Sequence, residues 1–194
     1  MIDSLTVLAS ISLMNALLYK RMEQLARTDG QTRLFKRNVF DETLSEEIGR
    51  AARHGLRLSI AMLDIDHFRN FNNKYGHITG DWVLREMARL IRETMPSYTL
   101  TARWGGEEFV VLFPNDGAPA AATRINQLQK VLAEQLRIPA EIAPEAGAER
   151  VTFSAGISQF PDHAQEALEL VRLADEALYR AKNTGRNRVI VYGT

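Results

Sequence analysis

The chain has no cysteine, no net charge and no uncharged apolar run long enough to cross a bilayer, and each lack removes a class of answer. Without cysteine there is neither a disulfide nor a cysteine-based zinc centre. Twenty-four basic residues balance 24 acidic ones, which disfavours a nucleic-acid groove as the main role. Functional cations should instead be local to phosphate. His54, His67, His77 and His163 share no metal-ligand spacing. A basic leader and a small-residue cleavage site are missing, so no secretory signal is expected. There is no low-complexity tract and no internal repeat. With 45% hydrophobic residues, the 194-residue chain can bury a sizeable core. These features point to a cytoplasmic domain, or to the cytoplasmic part of a membrane-anchored protein.

Against that plain background the segment Arg103-Trp104-Gly105-Gly106-Glu107-Glu108-Phe109 stands out. It follows the strand-forming run Tyr98–Ala102 and precedes the apolar run Val110–Phe113, which predicts a hairpin with a tight glycine turn at positive φ. Glycines without Cβ let a bulky ligand approach, and two carboxylates supply hard oxygens of the kind Mg²⁺ takes. A solvated turn with two surface glutamates is the plainer alternative.

A second acidic locus ends the apolar run Arg57–Leu63. Alternation across a sheet puts Leu58, Ile60, Met62, Asp64 and Asp66 on one face, acidic only at its end. Asp66 precedes a short helical stretch starting at His67 and is expected to serve as its N-cap. Asp64 has no such role, and a charge ending a buried strand needs a partner or a metal. Beyond it, Asn72 and Asp81 flank a turn-rich stretch. An acceptor-only carboxylate and a donor-acceptor amide match the edge of guanine. Alternatively, Asp81 caps a helix starting at Trp82 and Asn72 is a turn residue.

Asp64-Ile-Asp-His-Phe-Arg69, Asn72, Gly76-His77, Gly80-Asp81, Gly105-Gly-Glu-Glu-Phe109 and the stretch Ala174–Asn187 together closely resemble the GGDEF family, the diguanylate cyclases. The likeness runs from about Asp29 to Tyr192, with the glycine motif in its Glu-containing variant. It implies that Asp64, the Ile65 carbonyl and Glu107 hold divalent ions, Mg²⁺ or Mn²⁺, with Glu108 beside them. Asp64, Glu107 and Glu108 would be the catalytic acids. Asn72 and Asp81 would bind guanine, while Phe68, Arg69, Gly105, Gly106, Lys182 and Arg186 complete the GTP site. Arg69 stands where the family usually has Lys and offers a planar fork in place of a point charge. Lys182 and Arg186 also suit the end of a helix stopped by Gly185.

The chain departs from the family in two places. Gln31, Arg33 and Lys36 replace the usual Leu, Gly and Asn in a wide turn that Asp29, Thr32, Leu34 and Arg37 preserve. Pro96-Ser97-Tyr98-Thr99 replaces the Arg-x-x-Asp product site, so feedback inhibition through that site should be weak or absent.

The resemblance implies condensation of two GTP into cyclic di-GMP with loss of two pyrophosphates. Each domain would hold one GTP, so two copies must face each other. Residues 1–28 fit that need as a signalling and dimerising helix ahead of a catalytic domain at residues 29–194. Leu8, Ile11, Asn15, Leu18, Met22 and Leu25 form a heptad seam with Asn15 as a register-setting polar residue. A membrane helix and local packing are the alternatives. The uncharged run Leu5–Tyr19 has 15 residues, against roughly 20 for a span. An upstream sensor is expected if the chain is a piece of a longer protein.

Helices are predicted near 36–53, 78–93, 119–136 and 165–182, and strands at 151–158 and 188–192, with a variable insertion at 138–150. This is an α/β, or α+β, sandwich, which the resemblance sharpens to a mostly antiparallel five-stranded sheet flanked by helices, like the palm of nucleotidyl cyclases. The rival function is a catalytically silent module that binds GTP or cyclic di-GMP. A third keeps catalysis but joins a second purine nucleotide to GTP.

Overall fold

A computed structural model describes residues 4–25, 27–147 and 149–194. In chain order the elements are α1 (Ser4–Leu25), β1 (Phe35–Lys36), α2 (Arg37–His54), β2 (Leu58–Ile65), α3 (Phe68–Tyr75), α4 (His77–Thr94), β3 (Leu100–Arg103), β4 (Glu108–Pro114), α5 (Ala118–Gln135), β5 (Phe153–Phe160), α6 (Ala167–Asn183) and β6 (Val189–Val191). The strands form one sheet in the order β1-β3-β4-β2-β5-β6.

Alternation along β2, buried at every residue, builds the layers. Leu58, Ile60 and Met62 join Val110 and Leu112 of β4 under Phe40 and Leu44 of α2 and Leu170 and Leu178 of α6. Ala61, Leu63 and Ile65 face the other way, with Phe109, Val111 and Phe113, under Val83, Met87 and Ile91 of α4 and Ile125 and Leu128 of α5. The mixed sandwich is as expected. The sheet has six strands rather than five, because β1 adds a two-residue parallel edge on β3. The four central strands pair antiparallel with one another, and β6 is parallel to β5.

The turn before β1 explains that extra edge. Asp29 Oδ1 accepts from the Thr32 amide and hydroxyl at 2.8 and 2.7 Å. Arg33 adopts φ 62°, a left-handed conformation unfavourable for a residue with a Cβ. Arg33 thus holds the left-handed position of this turn in spite of its Cβ.

Two capping expectations are corrected. Asp66 is not an N-cap: α3 begins at Phe68 with His67, at φ 57°, in the cap position and no side-chain cap. Asp81 does not cap a helix from Trp82. Gly76, at φ 80° and ψ 159°, separates α3 from α4, and α4 starts at His77 with Asp81 already inside it. Within the expected insertion, Ile138, Ala143 and Ala146 are buried in the core.

Along α1, Leu8, Ile11, Leu18 and Met22 are between 54% and 70% exposed, and Asn15 is exposed as well. The side chain of Leu25 lies outside the described residues. Packing of this seam on its own domain is thus overturned. Among the described residues, no helix is long and apolar enough to cross a membrane.

Candidate active site

The register of the sheet assembles the acids. Asp64, the penultimate residue of β2, lies opposite Glu108, the first residue of β4, on one side and opposite Ser154 on the other. Glu107 comes from the loop of residues 104–107. That loop is not the expected tight turn, because neither Gly105 nor Gly106 has positive φ among the described residues. The glycines matter for space instead. A Cβ on Gly105 would approach Glu108 Oε2 to 2.8 Å, and one on Gly106 would meet nothing within 4 Å. Arg103 holds the loop, its guanidinium donating to the Gly105 carbonyl at 3.3 Å and to the Gly106 carbonyl at 3.2 and 2.7 Å.

The carboxylates crowd one another. Burial pushes Asp64 up from the ordinary carboxylate range, and Lys182, whose Nζ is 2.7 Å from Asp64 Oδ2, opposes that only in part. Burial and then the charge of Asp64 raise Glu107 as well, again against Lys182. Glu108 is raised by the same two causes. The donors of this locus are hard oxygens.

Among the described residues, however, no three acidic or histidine side chains form a ready cluster for a metal ion. Asp64 and Glu107 line one cavity of about 240 Å³, together with Ile65, Arg69, Lys182 and Arg186. Glu108, one residue further on, lies against Gly105. Two carboxylates and a backbone carbonyl still fit a divalent ion that draws its remaining oxygens from a nucleotide's phosphates, the usual manner of Mg²⁺.

The cations reach this cavity from the end of α6. Gly185, at φ 120°, ends the helix, and the Arg186 amide donates back to the Ala181 carbonyl at 3.0 Å, a Schellman closure. Arg186 and Asn187 then adopt φ of 58° and 46°. Asp66 holds this left-handed pair in place. It accepts from the Asn187 amide at 3.0 Å and from the Thr152 and Ser154 hydroxyls at 2.7 Å each. Sequence reasoning missed that role. Its signal was the pairing of Asp66 with hydroxyls at 152 and 154, one face of a strand.

At the other end, Asn72 packs directly over Gly80, where any Cβ would overlap its amide oxygen. Asn72 Oδ1 is buried with no hydrogen-bond partner, an unmet acceptor that asks for a donor. Asp81, exposed on α4, accepts from Gln31 Nε2 at 2.7 Å. Phe68 is 5% exposed and supplies wall rather than a polar contact. In the segment that replaces the product site, Tyr98 donates to Asp116 Oδ2 at 2.8 Å and Thr99 Oγ1 donates to the Pro96 carbonyl at 2.7 Å.

Comparison with known proteins shows the family and the fold. The family model described as diguanylate cyclase, GGDEF domain, matches residues 26–188. Diguanylate cyclase A of Treponema denticola is 35% identical over 191 residues, covering 97% of this chain and 49% of that protein. Diguanylate cyclase DgcP of Pseudomonas aeruginosa is 40% identical over 169 residues, 87% of this chain and 24% of that protein. The crystal structure of the coiled coil and GGDEF domain of DgcB from Caulobacter crescentus, in complex with c-di-GMP, superposes with a TM-score of 0.77 at 32% identity, covering 97% of this chain and 100% of that one. The chain thus spans about half or less of these two curated relatives.

Proposed function

The chain belongs to the GGDEF family, and we propose that it is a diguanylate cyclase, condensing two GTP into cyclic di-GMP and two pyrophosphates. One observation carries the reading: one cavity at the end of the central strand β2, where Asp64 and Glu107 face Lys182, Arg186 and Arg69. That is the charge pattern a metal-bound triphosphate needs.

A divalent ion, which we take to be Mg²⁺ or Mn²⁺, would sit on Asp64, the Ile65 carbonyl and Glu107, where it would acidify the ribose hydroxyl and offset phosphate charge. The chain supplies alignment and charge. Asn72 and Asp81 take the guanine edge. Lys182, Arg186 and Arg69 hold phosphate oxygens, with Asp66 fixing the backbone that carries Arg186. In each half-reaction a 3′-oxygen bonds to the α-phosphorus of the facing GTP. The α–β bridging P–O bond breaks, and the hydroxyl proton is released.

Since one domain at residues 29–194 would hold one GTP, two must meet. We assign that task to residues 1–28, whose seam on α1 is exposed and suits a coiled coil with a second copy. We place the enzyme in the cytoplasm, where GTP is available, under an upstream sensor if the chain is part of a longer protein.

Incubation with Mg²⁺ and GTP, with products identified by mass, tests the proposal. Cyclic di-GMP should form, faster per molecule as protein concentration rises, and not with Glu107→Ala. If wild type and Glu107→Ala both bind GTP and form equally little product, the chain is instead a silent binding module. A hybrid dinucleotide formed with a second purine nucleotide would overturn guanine selection.

A further inference from the structure

Gln31 lies in the turn leading from α1 into the sheet, and both ends of its amide are used. Nε2 donates to Asp81 Oδ1 at 2.7 Å, and Oε1 accepts from Arg103 Nη1 at 2.6 Å. The orientation of the amide is forced, because a guanidinium only donates and a carboxylate only accepts. Arg103 is itself held by Asp29 Oδ1 at 3.2 Å and by the carbonyls of Gly105 and Gly106. A polar chain therefore links Asp81 to the loop that carries Glu107.

We infer that Gln31 is a positioning residue for base selection, setting the rotation of the Asp81 carboxylate that meets the purine edge. The inference rests on the reading of Asp81 as a guanine ligand. An exposed aspartate on a helix turns freely about its side-chain bonds, and ordering it on binding costs entropy. Gln31, anchored by Arg103, imposes that order beforehand. A carboxylate oxygen has two acceptor positions, so Oδ1 keeps one for the base and Oδ2 both. An acceptor pair fixed in this way favours a base with two adjacent donors. Guanine has N1–H and the 2-amino group; hypoxanthine has only N1–H.

The test measures binding of 3′-deoxy-GTP and 3′-deoxy-ITP, which lack the attacking hydroxyl, by calorimetry with Mg²⁺. Wild type, Gln31→Leu and Gln31→Glu are compared, with thermal melts to verify folding. Leucine removes both polar ends. Glutamate keeps the acceptor for Arg103 but sets a carboxylate beside Asp81, separating the effect on the base from any effect on the hairpin. Loss of one such hydrogen bond should cut the preference for the guanine nucleotide about threefold to tenfold in both variants, with little change for the hypoxanthine one. Folded variants that retain the wild-type preference, or that lose both nucleotides equally, would overturn the inference and leave the function standing. Wild type that binds neither nucleotide, or binds both equally, would overturn the assignment of the guanine site and this inference with it.

Discussion

Replacing Glu107 by glutamine should make the protein more stable and inactive at once. The substitution turns a carboxylate disfavoured by burial and by the Asp64 charge into a neutral amide of the same shape. Glu107 is partly exposed, so water screens the repulsion and the gain is on the order of 0.5 to 1 kcal/mol. For a chain of this length that corresponds to a Tm higher by about 1 to 4 °C. The pH dependence carries the sign. Because the folded-state pKa of Glu107 lies above its unfolded value of 4.5, the folded form binds the proton more tightly. Its contribution to wild-type stability is full below the unfolded pKa and is lost as pH rises through the folded one. Glutamine has no such titration. The variant's advantage should therefore be present above that window and disappear below about pH 4. Melting curves of both proteins without nucleotide, from about pH 3.5 to 8, cover both sides of this range. GTP turnover at neutral pH should fall at least about a hundredfold. A variant less stable than wild type at neutral pH would refute the electrostatic account, and unchanged turnover would refute the site.

Three further outcomes are expected. A Cβ on Gly156 of β5 would overlap the Ala174 carbonyl and the Leu178 amide of α6, which are backbone atoms that cannot swing aside. Gly156→Ala should cost about 2 to 4 kcal/mol, and an unchanged urea midpoint would show that α6 is not seated so closely. Asp66→Ala strands two hydroxyls and the Asn187 amide, costing about 2 to 4 kcal/mol. By releasing Arg186 it should weaken GTP more than GMP in a binding titration; equal loss of both would deny it the phosphate role. Added cyclic di-GMP should leave turnover nearly unchanged, and strong noncompetitive inhibition mapped to residues 96–99 would contradict the missing Arg-x-x-Asp.

The acids and cations were legible because their types and order are local facts. Asp64 ends an apolar run, Glu107 and Glu108 follow two glycines, and Lys182 and Arg186 end a helical period. Asp66 was misread as a cap, and a cap was weighed for Asp81 beside its guanine role, because a cap is judged from nearby positions. Their partners lie far along the chain, at 152, 154 and 187 for Asp66 and at 31 for Asp81.

Periodicity and side-chain chemistry alone determined the sandwich and the two acidic loci, whereas the phosphate role of Lys182 and Arg186 came from the family resemblance. Tertiary structure alone decided that Asp64 and Glu107 share a cavity while Glu108 does not, that Asp66 anchors Arg186, and that Gln31 bridges Asp81 to Arg103. The reason is physical. Helical and strand patterns arise from neighbours a few residues apart, whereas a hydrogen bond between distant segments exists only once packing has set their separation and direction.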